Sequence, residues 1–182
     1  AAAPLSLSYR DYSLAVHHAR GARYARSLEY WRARLPHLPP APDLPLEKDP
    51  RTLRRPRFRR WFARVGAEVW QRLKQRARAR RLTEPELLLA AYSEVIARWS
   101  RSPRFTLNVP HFNRLPVHPQ VNDIIGTFAS FTLVEVDHHP ERSFTERALA
   151  IREQLLLALE HREVSGVELL RESSRLLGEI DT

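Results

Sequence analysis

The sequence lacks both sulfur-containing residues: none of its 182 residues is cysteine or methionine. Without cysteine, disulfides and thiolate metal sites are excluded, and a reducing compartment such as the cytoplasm is the expected location. Without methionine, the chain starts at Ala1 with no initiator and no signal-peptide core, so we expect a piece of a longer protein. No apolar run approaches the roughly 20 residues that span a bilayer, so we expect no membrane segment.

Lysine is nearly absent, since Lys48 and Lys74 are the only two, yet the chain has a net charge of +9 and a pI near 10.9. The positive charge is therefore almost entirely arginine, and it is densest at 54–60 (RRPRFRR) and 76–81 (RARARR). Such patches are typical of nucleic-acid binding. The arginines alternate with apolar residues typical of a core, however, so nucleic-acid binding is the less favoured alternative.

Glycine is scarce as well. The five glycines are not clustered, which excludes a glycine-rich phosphate loop. Two histidine pairs, His17–His18 and His138–His139, are candidate metal ligands or bases. Adjacent side chains point to different sides of a helix or strand, so we predict that both pairs are solvated and that the chain binds no metal.

Proline, in contrast, is abundant in one segment. Six prolines within 35–50 fix φ and remove backbone donors, which predicts an extended connector. Elsewhere the spacing of apolar residues predicts helices and strands that alternate along the chain, and this alternation is typical of a layered α/β unit. The predicted helices are 9–35, 67–81 and three that open with capping boxes at 83–86, 143–146 and 165–168; the predicted strands are 58–65, 105–109 and 128–136.

The stretch FTLNVPHFNRLPVHPQVNDIIGTFASFTLVEVD (105–137) combines a strand, a proline-rich corner and a second strand. It closely resembles the late motif of the heterocyclization domains of nonribosomal peptide synthetases, which are relatives of condensation domains. That motif has a strand, then Phe-Asn-Arg-x-Pro-x-His-Pro, then a Gly-x-Phe-x-Ser turn into another strand. Four further segments agree in order, at 11–46, 57–62, 83–100 and 161–172, so the resemblance covers nearly the whole chain.

The resemblance implies a chloramphenicol-acetyltransferase-like fold doubled into two lobes with a tunnel between them. Residues 1–50 would be the end of the N-terminal lobe and the interlobe connector, and residues 51–182 part of the C-terminal lobe. The expected fold class is therefore α/β, incomplete in this chain. The family's aspartate pair would lie upstream of residue 1, and its late threonine and aspartate beyond Thr182, so we expect the chain alone to be inactive.

The resemblance also implies a reaction of secondary-metabolite biosynthesis, including siderophores. Such domains condense a carrier-bound acyl or peptidyl thioester with carrier-bound cysteine, serine or threonine, and then cyclodehydrate the product to a thiazoline or oxazoline. The expected partners are carrier domains and an adenylation domain of the same or an adjacent synthetase. No cofactor is expected on the domain itself, because the phosphopantetheine is attached to the carriers.

No residue of this chain is predicted to be catalytic, but four are predicted to line the tunnel and position substrate: Asn113, Arg114, His118 and Ser130. A strand that ends in Asn113 and Arg114 could hold an amide and a guanidinium rigidly, where they hydrogen-bond a thioester or amide carbonyl. The alternative is a purely structural role. Both side chains would then form hydrogen bonds with backbone groups of an irregular loop, and the prolines would end the strand.

The chain departs from the family pattern at two positions, because Thr127 and Ala129 stand where an aspartate and a threonine are usual. These departures put the cyclization step in question and leave an ordinary condensation or acyltransferase domain as an alternative. Such a domain needs His-His-x-x-x-Asp-Gly, which neither histidine pair of this chain provides. The motif would then be expected upstream of residue 1, and the upstream sequence would discriminate between the two.

Overall fold

The computed structural model describes residues 4–177, which contain six helices of ten residues or more and two strands. The helices are α1 (Tyr9–His18), α2 (Ala22–Arg34), α3 (Ala67–Arg78), α4 (Glu84–Trp99), α5 (Phe144–Glu160) and α6 (Gly166–Leu177). The strands are β1 (Arg104–Phe112) and β2 (Ala129–Asp137), and short 3-10 helices lie at Leu35–His37, Pro50–Thr52 and Pro119–Asn122. Mixed helices and strands were expected, and this is confirmed.

The two strands form an antiparallel pair, as hydrogen bonds at both ends show. The backbone N–H of Asn113 donates to Phe128 O at 2.8 Å, and that of His138 donates to Pro103 O at 2.9 Å. Buried and more exposed residues alternate along β2, with Thr132, Val134 and Val136 buried. One face of the pair therefore contributes to the core, as period-two patterning predicts.

The predicted strand at 58–65 is wrong, because this segment has no regular secondary structure. Its aromatic side chains lie in solvent: Phe58 is 93% exposed, Trp61 83% and Phe62 90%. Alternating apolar residues form a stable strand only when another strand pairs with them. Within residues 4–177, β1 and β2 pair with each other and neither pairs with this segment.

Local capping signals fix where the helices begin. Thr83 and Glu86 form the predicted capping box of α4, with Thr83 N donating to Glu86 Oε2 at 2.7 Å. The predicted boxes at Ser143 and Ser165 are also present. The single helix predicted over 9–35 is instead two helices, because the chain leaves helical geometry after His18 and restarts with Gly21 as an N-cap. Glycine favours such a break because it pays the largest entropic cost inside a helix.

The chain divides into two compact units. The first comprises residues 1–38, 107–134 and 155–182, and the second comprises 39–106 and 135–154, so the chain passes between units within β1, β2 and α5. The expected lobe boundary near residue 50 refers to a larger domain and stays a prediction. Residues 1–3 and 178–182 lie outside the described part of the chain. The second unit buries Ala77, Leu82, Ala90, Phe105 and Ile151.

The first unit contains two buried clusters. One joins Leu7 and Tyr12, from the start of the chain, to Val121, Ile124 and Phe128, from the segment that links the strands. The other joins Trp31 to Ala158, Val164 and Leu169, with Leu28 and Leu133 packed against it. Each fully buried large side chain contributes roughly 1.5–3 kcal/mol. The contacts of the first cluster hold the segment between β1 and β2 in place.

Candidate functional site

The four residues predicted from sequence lie in the same unit, on the segment that runs from the end of β1 to the start of β2. We call residues 113–130 the corner. Asn113 and Arg114 directly follow β1, His118 precedes the 3-10 helix Pro119–Asn122, and Ser130 lies in β2. The side chain of each forms a hydrogen bond with a backbone group, as the following contacts show.

Asn113 connects the corner to the turn between α5 and α6. Its Nδ2 donates to the backbone carbonyl of Arg162 at 3.0 Å. Its Oδ1 is buried and has no hydrogen-bond partner within residues 4–177. A buried acceptor without a partner is rare and costs about 1–3 kcal/mol. The amide is thus anchored through its nitrogen and sealed from solvent at its oxygen.

The Arg114 side chain joins two parts of the corner. Its Nη1 donates to the backbone carbonyls of Val121 and, at 3.3 Å, of Ile124. Its guanidinium carbon lies 3.7 Å from the centroid of the Phe128 ring, a cation–π contact. The planar guanidinium can satisfy two carbonyls and stack on a ring at once, which a lysine ammonium cannot do.

His118 and Ser130 both cap helices. Nδ1 of His118 accepts a hydrogen bond from the backbone N–H of Gln120 at 3.1 Å, so the proton of the neutral ring lies on Nε2. Oγ of Ser130 accepts from the backbone N–H of Gly166, the first residue of α6, at 3.3 Å. A Cβ at Gly166 would lie 2.6 Å from the Phe131 ring, so α6 begins close against β2.

Two tyrosines of α1 contact the corner, and the sequence analysis missed both. The Tyr12 hydroxyl donates to Asn113 O at 3.2 Å and accepts from Leu115 N at 2.9 Å. The Tyr9 hydroxyl donates to Thr127 O at 2.6 Å. A Ser8–Asp11 capping box marks the start of α1 in the sequence and could have defined this helix, but no local signal shows where the helix packs.

The two positions that depart from the family pattern, Thr127 and Ala129, lie at and next to the hydrogen bond from Tyr9. Thr127 offers its backbone carbonyl to Tyr9, and the side chains of Thr127 and Ala129 are exposed. The preceding Gly126 lies under the Tyr9 ring, where a Cβ would come within 2.1 Å of a ring carbon. The turn therefore depends on Gly126, whereas larger side chains fit at 127 and 129.

His161 lies next to Arg162 and is a third residue that the sequence analysis missed. Its ring stacks on Tyr30 with centroids 3.8 Å apart, and its Nδ1 is buried without a partner within the described residues. Burial lowers the pKa of His161 below its ordinary value of 6.5. The backbone carbonyl of His161 accepts from Trp31 Nε1 at 3.1 Å. The turn that Asn113 holds is thus also fixed by α2.

Glu168 joins α6 to the break between α1 and α2. It accepts hydrogen bonds from Arg20 Nη2 at 2.5 Å, Tyr24 Oη at 3.0 Å and Ser165 N at 2.9 Å. Burial opposes ionisation of this carboxyl. The hydrogen bonds from Ser165 and Tyr24 and the charge of Arg20 outweigh that effect, so the pKa of Glu168 lies below its ordinary value of 4.5.

The histidine pairs behave differently from each other. His17 and His18 are exposed, as predicted. The prediction of a solvated pair is wrong for His138, whose Nε2 lies 3.1 Å from Glu94 Oε2 in a cluster with Arg147. Within residues 4–177 no three histidine or acidic side chains are grouped to hold a metal, and no helix is long and apolar enough to cross a membrane.

Comparison with known proteins identifies the family. The model of the family described as the condensation domain matches residues 2–179. The chain belongs to the condensation-domain family. The resemblance inferred from the corner motif is thereby confirmed, and so is the fold class, because solved domains of nonribosomal peptide synthetases superimpose on the chain.

Two curated relatives illustrate the sequence similarity. Pyochelin synthetase PchF from Pseudomonas aeruginosa is 42% identical over 178 residues, which are 97% of this chain and 10% of PchF. Bacitracin synthase 1 from Bacillus licheniformis is 39% identical over 177 residues, which are 96% of this chain and 3% of that protein. The chain therefore spans no more than about a tenth of these synthetases.

Two solved structures illustrate the structural similarity. The cyclization-docking bidomain of the nonribosomal peptide synthetase EpoB from Sorangium cellulosum is 48% identical, with a TM-score of 0.84 over 98% of this chain and 36% of that one. The first condensation domain of the CDA synthetase is 18% identical, with a TM-score of 0.69 over 95% of this chain and 38% of that one. The second likeness concerns the condensation-domain fold alone.

Proposed function

We propose that the chain is part of a heterocyclization domain of a nonribosomal peptide synthetase. The observation that supports this most directly is the contrast in sequence identity: 48% with the EpoB cyclization domain, against 18% with a condensation domain of the same fold. Phenyloxazoline synthase MbtB from Mycobacterium tuberculosis, whose name states a heterocyclic product, is 39% identical over 150 residues. Residues 1–50 would end one lobe and connect it to the next, and 51–182 would form part of the second lobe.

The proposed reaction has two stages. In the first, the amine of a carrier-bound cysteine, serine or threonine attacks the upstream thioester carbonyl, an amide forms, and the donor carrier thiol leaves with the proton. In the second, the side-chain sulfur or oxygen attacks the new amide carbonyl, and loss of water leaves a thiazoline or oxazoline. The reaction needs two tethered substrates held in line and protected from bulk water.

In this proposal the carrier domains supply the phosphopantetheine arms, and an adenylation domain loads the amino acid. The domain itself holds no cofactor, and the synthetase acts in the cytoplasm. Groups that transfer protons would come from segments outside this chain. The contribution of this chain is the shape of the tunnel wall.

Within that wall, Asn113, Arg114, His118 and Ser130 are assigned as positioning residues. Each forms a hydrogen bond with a backbone group, and the Asn113 oxygen is sealed from solvent, which favours an indirect role over direct contact with a substrate carbonyl. Together with Tyr12, they fix the corner relative to α1, the α5–α6 turn and the start of α6. Such rigidity matters because a misplacement of about 1 Å can cost roughly 100-fold in rate.

An ordinary condensation domain remains the second candidate. Thr127 and Ala129, which replace the usual aspartate and threonine, favour condensation without ring closure. The two candidates share the first stage and differ in the loss of one water.

The decisive experiment uses a synthetase that contains this chain, with an acylated donor carrier and an acceptor carrier loaded in turn with cysteine, serine or threonine. Mass spectrometry of the acceptor-bound product separates the open amide from the ring. We expect a ring with at least one of the three amino acids. An open amide with all three would establish ordinary condensation, and neither an amide nor a ring with any of them would refute heterocyclization.

A further inference from the structure

Helix α3 presents two parallel rows of side chains that the corner does not use. Arg72, Arg76 and Arg80 follow at four-residue spacing, the last just beyond the helix, and all three are exposed. Beside them Val69, Leu73 and Ala77 form an apolar row that changes from 42% exposed at Val69 to 2% at Ala77. Residues four apart lie one above the other on a helix, so each row is continuous along its face.

The two rows line a continuous depression within the second unit. A cavity of about 260 Å³ is bounded by Leu73, Arg76, Ala77 and Arg80 on one side. A second cavity of about 230 Å³ is bounded by Val69, Arg72, Leu73 and Arg76. Leu73 and Arg76 belong to both cavities, so the depression runs along α3. We call it the α3 groove; Leu82, Leu87 and Phe144 form its opposite wall.

The acidic side chains around the α3 groove do not pair with its arginines. Arg78, on the same helix, pairs with Glu84 at 2.9 Å. Glu86 accepts from Thr83 N and lies 3.5 Å from Arg152, while Glu146 caps the start of α5. The nearby carboxylates that start these helices are thus engaged elsewhere. Within residues 4–177 none of Arg72, Arg76 and Arg80 forms an ion pair. Glu68, which begins the same row four residues before Arg72, forms none either, so the row keeps an excess of positive charge.

We propose that the α3 groove binds an acidic amphipathic helix of a carrier domain. The choice of a carrier domain as partner rests on the proposed function, whereas the acidic helix follows from the groove itself. An apolar floor beside a charged row is the arrangement that receives a helix by its apolar face. Three guanidinium groups over roughly 12 Å match carboxylates spaced four residues apart on that helix.

The apolar floor also favours a helix over nucleic acid as the occupant. A phosphodiester backbone would contact the arginines but would leave the row of Val69 and Leu73 without a partner. The other arginine-rich stretch, 54–60, is exposed throughout and lines neither cavity. It therefore provides a control of similar charge without a groove.

The test measures binding of a fluorescently labelled acceptor carrier domain to a synthetase that contains this chain and lacks its own copy of that carrier. The variant is the triple replacement Arg72→Glu, Arg76→Glu and Arg80→Glu. Exposed ion pairs are individually weak, so the loss of three should raise the dissociation constant by roughly 3- to 100-fold. The variant in which all three become lysine keeps the charge and should bind within about threefold of the original.

A matched control changes the same amount of charge at Arg54→Glu, Arg55→Glu and Arg57→Glu, and should leave carrier binding unchanged. In turnover assays the groove variant should raise KM for the carrier-bound substrate and preserve kcat at saturation, which also shows that it folds. Three results would overturn the proposal. The groove variant could bind the carrier as tightly as the original protein, the control could weaken binding as much as the groove variant, or duplex DNA could displace the carrier from the groove. Carrier binding is measured without turnover, so an inactive synthetase would count against the proposed function alone.

Discussion

The side-chain amide of Asn113 and the backbone carbonyl of Arg162 are joined by a 3.0 Å hydrogen bond between residues 49 positions apart. This bond holds the end of β1 against the turn between α5 and α6. The same turn is also fixed by Trp31, which donates to the carbonyl of His161. The corner is therefore anchored at a point where three segments of the chain meet.

We expect Asn113→Ala to lower kcat of the complete domain by roughly 10- to 100-fold, because the corner loses its anchor and the substrates lose alignment. KM for the carrier-bound substrates should change little, and a circular dichroism spectrum should stay native. Asn108→Ala, an exposed asparagine of β1, is the matched control. Unchanged turnover in the Asn113 variant would show that the anchor does not position the substrates.

Arg114→Lys should destabilise the domain by about 1–3 kcal/mol, since lysine keeps the charge but loses the stacked, forked geometry over Phe128. The measurement is the thermal midpoint of the complete domain, which should fall. Arg98→Lys, at an exposed position of α4, should leave the midpoint unchanged. Equal midpoints for both variants would contradict a role for the guanidinium in closing the corner.

Restoring the usual residues with Thr127→Asp and Ala129→Thr should raise the fraction of cyclized product. Both side chains are exposed, so the double variant should fold normally, and the Tyr9 hydrogen bond to the backbone at 127 should persist. We expect the unaltered domain to accumulate some open amide, one water heavier by mass spectrometry. Complete cyclization by the unaltered domain would show that the two departures are harmless.

Glu168→Gln should lower stability at pH 7 by about 1 kcal/mol, a modest value because its partner Arg20 is partly exposed. The folded pKa lies below 4.5, so the stabilisation is present above the unfolded pKa and is lost as the pH falls through the folded value. The difference from the unaltered protein should therefore disappear well below pH 4.5. Urea melts of the complete domain at a series of pH values from 7 downward measure it, and Glu141→Gln, on the exposed loop before α5, is the control. A difference that does not decrease at any pH below 4.5 would rule out ionisation as its source.

The isolated chain should be inactive and should lack a cooperative thermal transition. Phe58, Trp61 and Phe62 are exposed, and α4 presents a stripe of Leu88, Tyr92, Val95 and Trp99 that is at least 55% exposed at every position. Leaving several hundred Å² of apolar surface uncovered forfeits roughly 25 cal/mol per Å², a large share of a typical stability of about 5–15 kcal/mol. Binding of a hydrophobic dye and calorimetry provide the measurements. A monodisperse chain with a sharp melt would contradict this expectation, and so would thioester condensation by the chain alone.

The sequence by itself determined the features that depend on neighbouring residues. The capping boxes at 83–86, 143–146 and 165–168 specify helix starts because their donors and acceptors are three residues apart. Period-two patterning located β1 and β2, and the motif around Asn113 and Arg114 sufficed to place the chain in its family.

Only the tertiary structure decided which distant groups meet. The segment 58–65 alternates like a strand, yet a strand also needs a hydrogen-bonding partner, and the described chain offers none. His138 faces Glu94 rather than solvent, and Tyr12 of α1 bridges Asn113 and Leu115, across separations of 44 residues or more. Such contacts depend on how the helices and strands pack against one another. The spacing of residues within one segment does not determine that packing. The contacts that anchor the corner are therefore visible only in the folded chain.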